Sequence, residues 1–366
     1  MYPYLPKPGA QQGAIDQADL ANCEMVFGGQ KLDRSLLTLG SSVSVDLAVG
    51  KPGMFMLGMA GYGKNQDFKW MEDKIFAPGT TVEVKMGYGN HLAPVFFGET
   101  VGIDASFSPS EPPRMTLRAY DLLHRLSRGA KRRAFSKMKY SDIARNIANE
   151  AGLTPQITAS ADTHEYVQQK GQSDLAFLLK LAEEINYQFL FVGKKMVFEP
   201  VSNNASPILQ LSLDAGLVDF NPNLSLARQV SGVIVRGWDA EKSAELTGIA
   251  RAGDEASAMG GAKSASKLLA STFGQSDMVT TISDHPVMTQ SEADGLAQAR
   301  LNEMSLDLIE ATGTSIGCAD LLPGKVIEIS GVSKWFSGRY YLTGTTHRYD
   351  YESGYTTSFN ARRNAL

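Results

Sequence analysis

The chain is short of the residues that build chemistry. Its 366 residues hold only two cysteines, Cys23 and Cys318. Two thiols far apart in sequence are too few for a structural zinc, and are read as small buried hydrophobes in a reducing cytosol. The five histidines, His91, His124, His164, His285 and His347, are scattered. No His-x-x-x-His, Glu-x-x-His or Gly-x-Ser-x-Gly spacing occurs, which removes the common metal-hydrolase and nucleophile-elbow signatures. Gly61 and Gly63 flank Tyr62 without the following Lys-Ser/Thr of a phosphate loop, so they read as a plain loop. Glu183 and Glu184 are neighbours on a helix and cannot face one another as paired catalytic carboxylates, so a solvated face is expected. Catalytic, metal and cofactor sites are therefore all expected to be absent. No apolar run reaches the length of a membrane span, and the N-terminus, with Pro3, Pro6 and Pro8, has no apolar signal core. Cytoplasmic synthesis without membrane insertion is expected. A net charge of −4 argues against general nucleic-acid binding.

What the chain has in quantity is β structure. Residues 323–363 open on Pro323-Gly324, and runs of β-formers follow at Val326 to Ile329, Arg339 to Tyr349 and Tyr355 to Ala361. Residues 78–121 have the same layout. Pro78-Gly79 opens an alternating strand from Thr81 to Met86, Gly87 and Gly89 turn it, and a third strand runs from Met115 to Tyr120. Phe97-Gly98 sits where Phe336-Ser337-Gly338 sits later. Two copies of one meander, about 245 residues apart, imply two β-modules of common design.

Between them the apolar period changes from 2 to 3.6. Ser141 is expected to cap a helix lined by Ile143, Ala144, Ile147 and Ala148, ended by Gly152. Ser173 caps a second, with Leu175, Leu178, Leu179, Ala182 and Ile185 on one stripe. Thr289-Gln290-Ser291-Glu292 is a capping box that opens a third. Residues 239–280, rich in Ala, Gly, Ser and Lys, read as a flexible loop with a helix at 266–273. The fold expected is α+β, mainly β, with two tube-like antiparallel β-barrels and an inserted α+β domain. The first barrel takes residues 1–120 and the α+β insert 121–204. The second barrel takes 205–238 and 313–366, and 239–312 is an insertion returning to the α+β domain.

The sharpest local signal is a basic run from Arg125 to Lys139 with no acid in it. Arg128, Lys131, Arg132 and Arg133 are candidates for partner contacts or a positive conduit lining, and Arg339 and Arg348 join them from the terminal strands. The stretch SDIARNIANEAGL that follows looks superficially like the start of a helix-turn-helix. That keeps open an alternative reading, a DNA-binding regulator using 125–151, although no convincing recognition helix follows.

Four stretches, in order along the chain, carry a family resemblance: YDLLHRLSRGAKRRAFSKMKYSDIARNIANEAGL, YVQQKGQSDLAFLLKLAEEINYQFLFVGKKMVFEP, HPVMTQSEADGLAQARL and FSGRYYLTGTTHRYDYESGYTTSFNARRN. Together they resemble the phage late control protein D family. Those baseplate hubs are related to the hub region of valine-glycine-repeat (VgrG) spikes of contractile injection systems. The resemblance implies a homotrimer that joins a six-fold inner tube to a three-fold spike through two tube-like barrels per chain. It implies an inner tube or tube-initiator protein, a separate spike chain and other baseplate proteins as partners. It also implies assembly into a phage tail or phage-like injection particle, and no specific nucleic acid.

Overall fold

Apolar residues fall on every second position through the first module, so each run forms a strand with one face turned inward. In this computed structural model, residues 20–33, 41–60, 72–239, 242–274, 278–350 and 353–366 are described. The Pro-rich arm up to residue 19 and the Gly61-Tyr62-Gly63 loop lie outside them. The first module comprises β1 (Ala21–Phe27), β2 (Gln30–Lys31), β3 (Ser42–Ala48), β4 (Lys51–Ala60), β5 (Thr81–Tyr88), β6 (His91–Ser106) and β7 (Arg114–Asp121). Met25, Val45, Leu57, Val84 and Leu117 are buried in one core. Phe27 meets Phe76 edge-on at 5.5 Å, and Phe55 stacks on Phe96 at 5.7 Å.

The insert follows as β8 (Lys131–Met138), α1 (Tyr140–Glu150), β9 (Thr154–Ile157), β10 (His164–Gln172), α2 (Asp174–Glu184), β11 (Tyr187–Val192) and β12 (Lys195–Pro200). Ser173 caps α2 as its sequence implies, its hydroxyl accepting from Ala176 N–H. α1 starts two residues earlier than expected, after Lys139, whose side chain makes no cap bond, and Ser141 is buried inside the first turn. Gly152, with φ +66°, terminates it.

The second module begins with β13 (Gln210–Leu211) and β14 (Leu217–Leu224). It is then interrupted by β15 (Gly232–Asp239), β16 (Ala244–Arg251), α3 (Ala265–Phe273), β17 (Val279–Ile282) and α4 (Gln290–Leu306). It resumes as β18 (Ile309–Ile316), β19 (Val326–Ile329), β20 (Gly338–Asp350) and β21 (Gly354–Arg363). β15 was expected within the second barrel as part of 205–238, but it pairs with β16 and β17 instead. The reason is packing: Val233, Val235 and Ala250 cover the α4 stripe of Ala293, Leu296, Ala297 and Leu301. The supposed flexible loop at 239–280 thus contributes β16, where Gly248 lets α4 approach. A Cβ there would sit 2.2 Å from the Ala293 carbonyl.

The strand orders of the two modules are the same. The first runs β3-β4-β7-β6-β5-β1 and the second β14-β18-β21-β20-β19-β13. Both long strands bulge at the same place, β6 between Thr100 and Gly102, β20 between Leu342 and Gly344. The Pro-Gly turns are superimposable in their bonding. Gly79 N–H donates to the Thr100 carbonyl and Gly324 N–H to the Leu342 carbonyl, each at 2.8 Å. Both glycines have positive φ, +89° and +80°. One pairing differs: β1 runs antiparallel to β5, whereas β13 runs parallel to β19 for two residues. Counting back from the bulges, Glu99 facing Tyr120 corresponds to Tyr341 facing Arg362. Phe97-Gly98 is therefore not the counterpart of Phe336-Ser337-Gly338.

The fold is mainly β with α+β insertions, but the expected closed barrels are not closed. The modules join edge to edge, Gly344–Asp350 of β20 pairing with β3, in one 13-stranded sheet. β19 is four residues long and β20 thirteen, so the far half of β20 has backbone groups to satisfy, and β3 satisfies them. At this seam Thr346 Oγ1 donates to Asp46 Oδ1 at 2.7 Å, and His347 is fully buried with Nδ1 2.8 Å from the Tyr355 hydroxyl.

Burial pushes the His347 imidazole down to about 4 from its ordinary 6.5. The unfolded chain takes up that proton first, so the contribution is complete above pH 6.5 and is lost as pH falls towards about 4. Asp121, which accepts N–H bonds from Gly53 and Leu123, is pushed up to about 7 by burial and slopes the other way between 3.8 and 7. Because the two oppose each other, the prediction concerns a difference. Unfolding free energies of wild type and His347→Gln, measured in denaturant across that range, should diverge in slope, with the variant losing less stability on acidification. Parallel curves would contradict the assignment.

Candidate functional site

Strand alternation gives the long sheet two unlike faces. One is the core. The other carries Ser44 and Asp46 from β3, Thr346 and Arg348 from β20, Thr356 and Ser358 from β21, and Thr312 and Thr314 from β18. Its polar groups are tied laterally rather than aimed at one point. Thr314 and Ser358 hydroxyls lie 3.2 Å apart, Asn221 donates to Asp219, and Arg118 pairs with Asp104 at 2.9 Å. Arg362 lies 3.1 Å from Asp307 and 3.8 Å from Glu310. Such a face of short hydroxyls and locally balanced charges is a wall that water and a passing solute can wet without a strong binding point.

The sequence-predicted contact residues do not come together. Only Arg348 lies on this polar face, exposed at the seam opposite Ser44. Arg339 is half-buried beside Gly260. The other four belong to the insert, where Lys131 and Arg133 are already engaged. Lys131 Nζ donates to Asp174 at 2.7 Å, and Arg133 donates to Asp174, to Glu150 at 2.6 Å and to Gln169 at 2.7 Å. Burial pushes the Asp174 carboxyl up, but the hydrogen bonds from Lys131 and Gln169 and the Arg133 charge outweigh it and hold it below the ordinary range. Arg132 and Arg128 are exposed, the latter 3.2 Å from His124 Nδ1. From Lys131 the basic run is a strand, β8, paired with β10, while Arg125 lies in a short 3-10 helix before it, and α1 after it leads into β9 rather than a second helix. Those contacts remove the geometric basis for a helix-turn-helix over 125–151.

A cluster that sequence reasoning missed ties the insert to the insertion. Tyr140 stacks on His164 at 3.9 Å and donates its hydroxyl to Glu184 at 2.5 Å. Glu184 also lies 3.3 Å from His285 Nε2, and His164 Nδ1 lies 2.7 Å from Glu292 Oε1. Burial pushes Glu292 up, yet the His164 hydrogen bond and the Met288 N–H hold it below the ordinary value of 4.5. Burial, with the Glu184 charge, pushes the Tyr140 hydroxyl far up. Glu184 is therefore buried, not on the solvated face expected of it, while Glu183 is exposed. The available signal was its spacing, since Asp174, Phe177, Leu181 and Glu184 share the buried stripe of α2. Among the described residues no group of three or more His, Cys, Asp or Glu side chains could hold a metal ion. Both cysteines are buried and free, and burial pushes Cys318 up to about 12. Among the described residues no helix is long and apolar enough to cross a membrane. The outer face of the β15–β17 sheet exposes Trp238, Ile249 and Val279, a small apolar patch of the kind that marks protein contacts.

Comparisons with known proteins bear on this geometry. The model of the family described as the Alg8 N-terminal domain matches residues 17–350. No curated protein matches. Among solved structures, the fold is shared with the 43 kDa tail protein of prophage MuSo2 from Shewanella oneidensis, at TM-score 0.70 and 13% identity over 94% of this chain and 98% of that one. A tail protein from Neisseria meningitidis MC58 gives TM-score 0.66 and 12% identity over 94% and 96%. The E. coli c3393 protein, described as a component of the type VI secretion system, gives 0.59 and 13% over 93% and 77%.

The ion network predicts two contrasting substitutions. Asp174→Asn leaves two cations against a neutral amide on a side chain only 8% exposed, and should lower stability by about 2 kcal/mol. Arg132→Ala, on the same strand but exposed, should change it by less than about 0.5 kcal/mol. Denaturant midpoints of the two variants test this, and equal losses would refute the distinction.

Proposed function

We propose that this chain, which belongs to the family described as the Alg8 N-terminal domain, is a structural baseplate hub of a contractile tail or injection machine. In this reading it resembles the late control D hubs and works as a homotrimeric adaptor between a six-fold inner tube and a three-fold spike. The observation that carries it is the pair of modules with one strand order, fused edge to edge in a single sheet. Three chains bring six such modules, which matches six tube subunits while the rest of each chain repeats three times. The fold shared with tail and type VI secretion proteins supports the same reading.

The polar sheet face is then the lumen wall, with Arg348 on it. Arg128, Arg132 and the half-buried Arg339 serve as contacts towards neighbouring proteins. Lys131 and Arg133 hold the insert together and are withdrawn from that role. The apolar patch at Trp238 and Ile249 suits another baseplate protein. The inner tube or its initiator docks on one rim of the ring and a separate spike protein on the other.

Function in this account is assembly, without turnover. Purified protein offered peptidoglycan, esters, nucleotides and nucleic acids should give only background rates. A rate abolished by Glu184→Gln or His164→Gln would overturn that. Gold labelling of a tagged chain in tail particles should place label at the junction of tube and spike, three copies per particle. Label along the tube, or six copies, would refute the hub.

A further inference from the structure

Two strands of the insert carry cations that its ion network leaves over. β8 and β10 form a two-stranded ribbon in which Arg132 faces Lys170, Ala134 faces Gln168 and Ser136 faces Tyr166. Facing residues share a side of the ribbon, as does every second residue along a strand, so these six make up one face. All six are exposed, Tyr166 by 50%, and none is acidic. The other face is fastened to the insert. Phe135 stacks on Phe177 at 5.8 Å and Val167 is buried. Gln169, fully buried, accepts from Arg133 and donates to Asp174 at 3.0 Å. The outer face is thus held from behind while its own side chains stay open.

The cation pair is a conflict within the ribbon. Like charges directly opposite on paired strands lie about 5 Å apart and destabilise them. Lys131 and Arg133, on the same strand, are relieved by Asp174 and Glu150, but among the described residues Arg132 and Lys170 make no ion pair. The ribbon bulges between Lys170 and Gln172, at Gly171 with φ +70°. A Cβ on Gly171 would sit 3.5 Å from Arg132 Nε, so the glycine leaves room beside the guanidinium. A glutamate in place of Lys170 would satisfy Arg132 across the strands. The two cations therefore answer to something other than the fold of the ribbon.

We propose that this ribbon face docks an acidic segment of a partner protein, with carboxylates taken up by Arg132 and Lys170. Gln168, Ser136 and the Tyr166 hydroxyl add donors around them, and Arg and Tyr are the residue types that anchor protein interfaces. Charge decides against nucleic acid as the occupant. Two phosphate contacts give only a weak hold that salt erodes, and the chain as a whole carries a net charge of −4. A segment with one or two carboxylates asks for no more cations than the face has. That the segment belongs to another baseplate protein rests on the hub reading; that the face takes carboxylates does not.

Fluorescence anisotropy of a labelled hexaglutamate peptide with the full-length protein tests this at low salt, about 50 mM. The peptide should bind, and Arg132→Glu with Lys170→Glu should weaken binding about ten-fold. The charge-matched pair Lys263→Glu with Lys325→Glu, on exposed cations elsewhere, should weaken it less than about two-fold. Lys170→Glu alone separates binding from folding. It sets opposite charges across the ribbon, so the denaturant midpoint should hold or rise while peptide binding falls. A falling midpoint would instead assign the pair to the fold. Three further results would overturn the docking face: no binding of hexaglutamate, equal losses in the two charge-matched pairs, or a short DNA duplex held more tightly than the peptide through the same two cations. The expected losses in a chain that labelling places away from the tube–spike junction would keep the docking face and remove the hub.

Discussion

A strand longer than its neighbour leaves backbone donors and acceptors that must find partners, and this mismatch organises the molecule. β20 extends well past β19, and its surplus half would present a bare edge inside a folded protein. β3 takes that edge from some three hundred residues earlier in the chain. One backbone ladder thereby converts two barrel-like modules into a continuous wall. His347 and Tyr355 fill its core side, and Thr346 with Asp46 its wet side.

The bulge decides where the surplus half begins. In both long strands it falls at the carbonyl that receives the Pro-Gly turn's N–H, so the turn, the bulge and the departure of the short strand form one local device. That device is used twice, with different side chains: Thr100 in one module, Leu342 in the other. Asp121 and Arg363, level with each other after the bulges, then do opposite work. Asp121 holds Gly53 and the start of the insert, and Arg363 donates to the Ser337 carbonyl. Equivalent backbone thus carries divergent side chains, and only the first of the two leads into the insert.

Much of this was legible in the sequence, and the rest was hidden for identifiable reasons. Local signals worked: Pro78-Gly79 and Pro323-Gly324 marked equivalent turns, alternation marked the strands, and Ser173 and Thr289 marked helix starts. The seam was not legible, because no local pattern records that Val45 will lie beside His347. β8 was obscured by its own charge, since seven cations over Arg125 to Lys139 read as a surface while Asp174 and Glu150, which pair two of them, lie far along the chain. β16 was hidden by its composition, its glycine answering to a helix that arrives some forty residues later. The Tyr140, His164, Glu184 and His285 cluster has no local spacing to mark it, because these four residues converge from separate elements.

The central claim is that two modules with one strand order act as equivalent sectors of a ring. Averaged electron-microscope views of the oligomer down its axis test this most directly. The account predicts six near-equal sectors at low resolution that resolve into three alternating pairs as detail improves. Three isolated sectors with gaps between them, or a ring in which first and second modules lie at different radii, would contradict it.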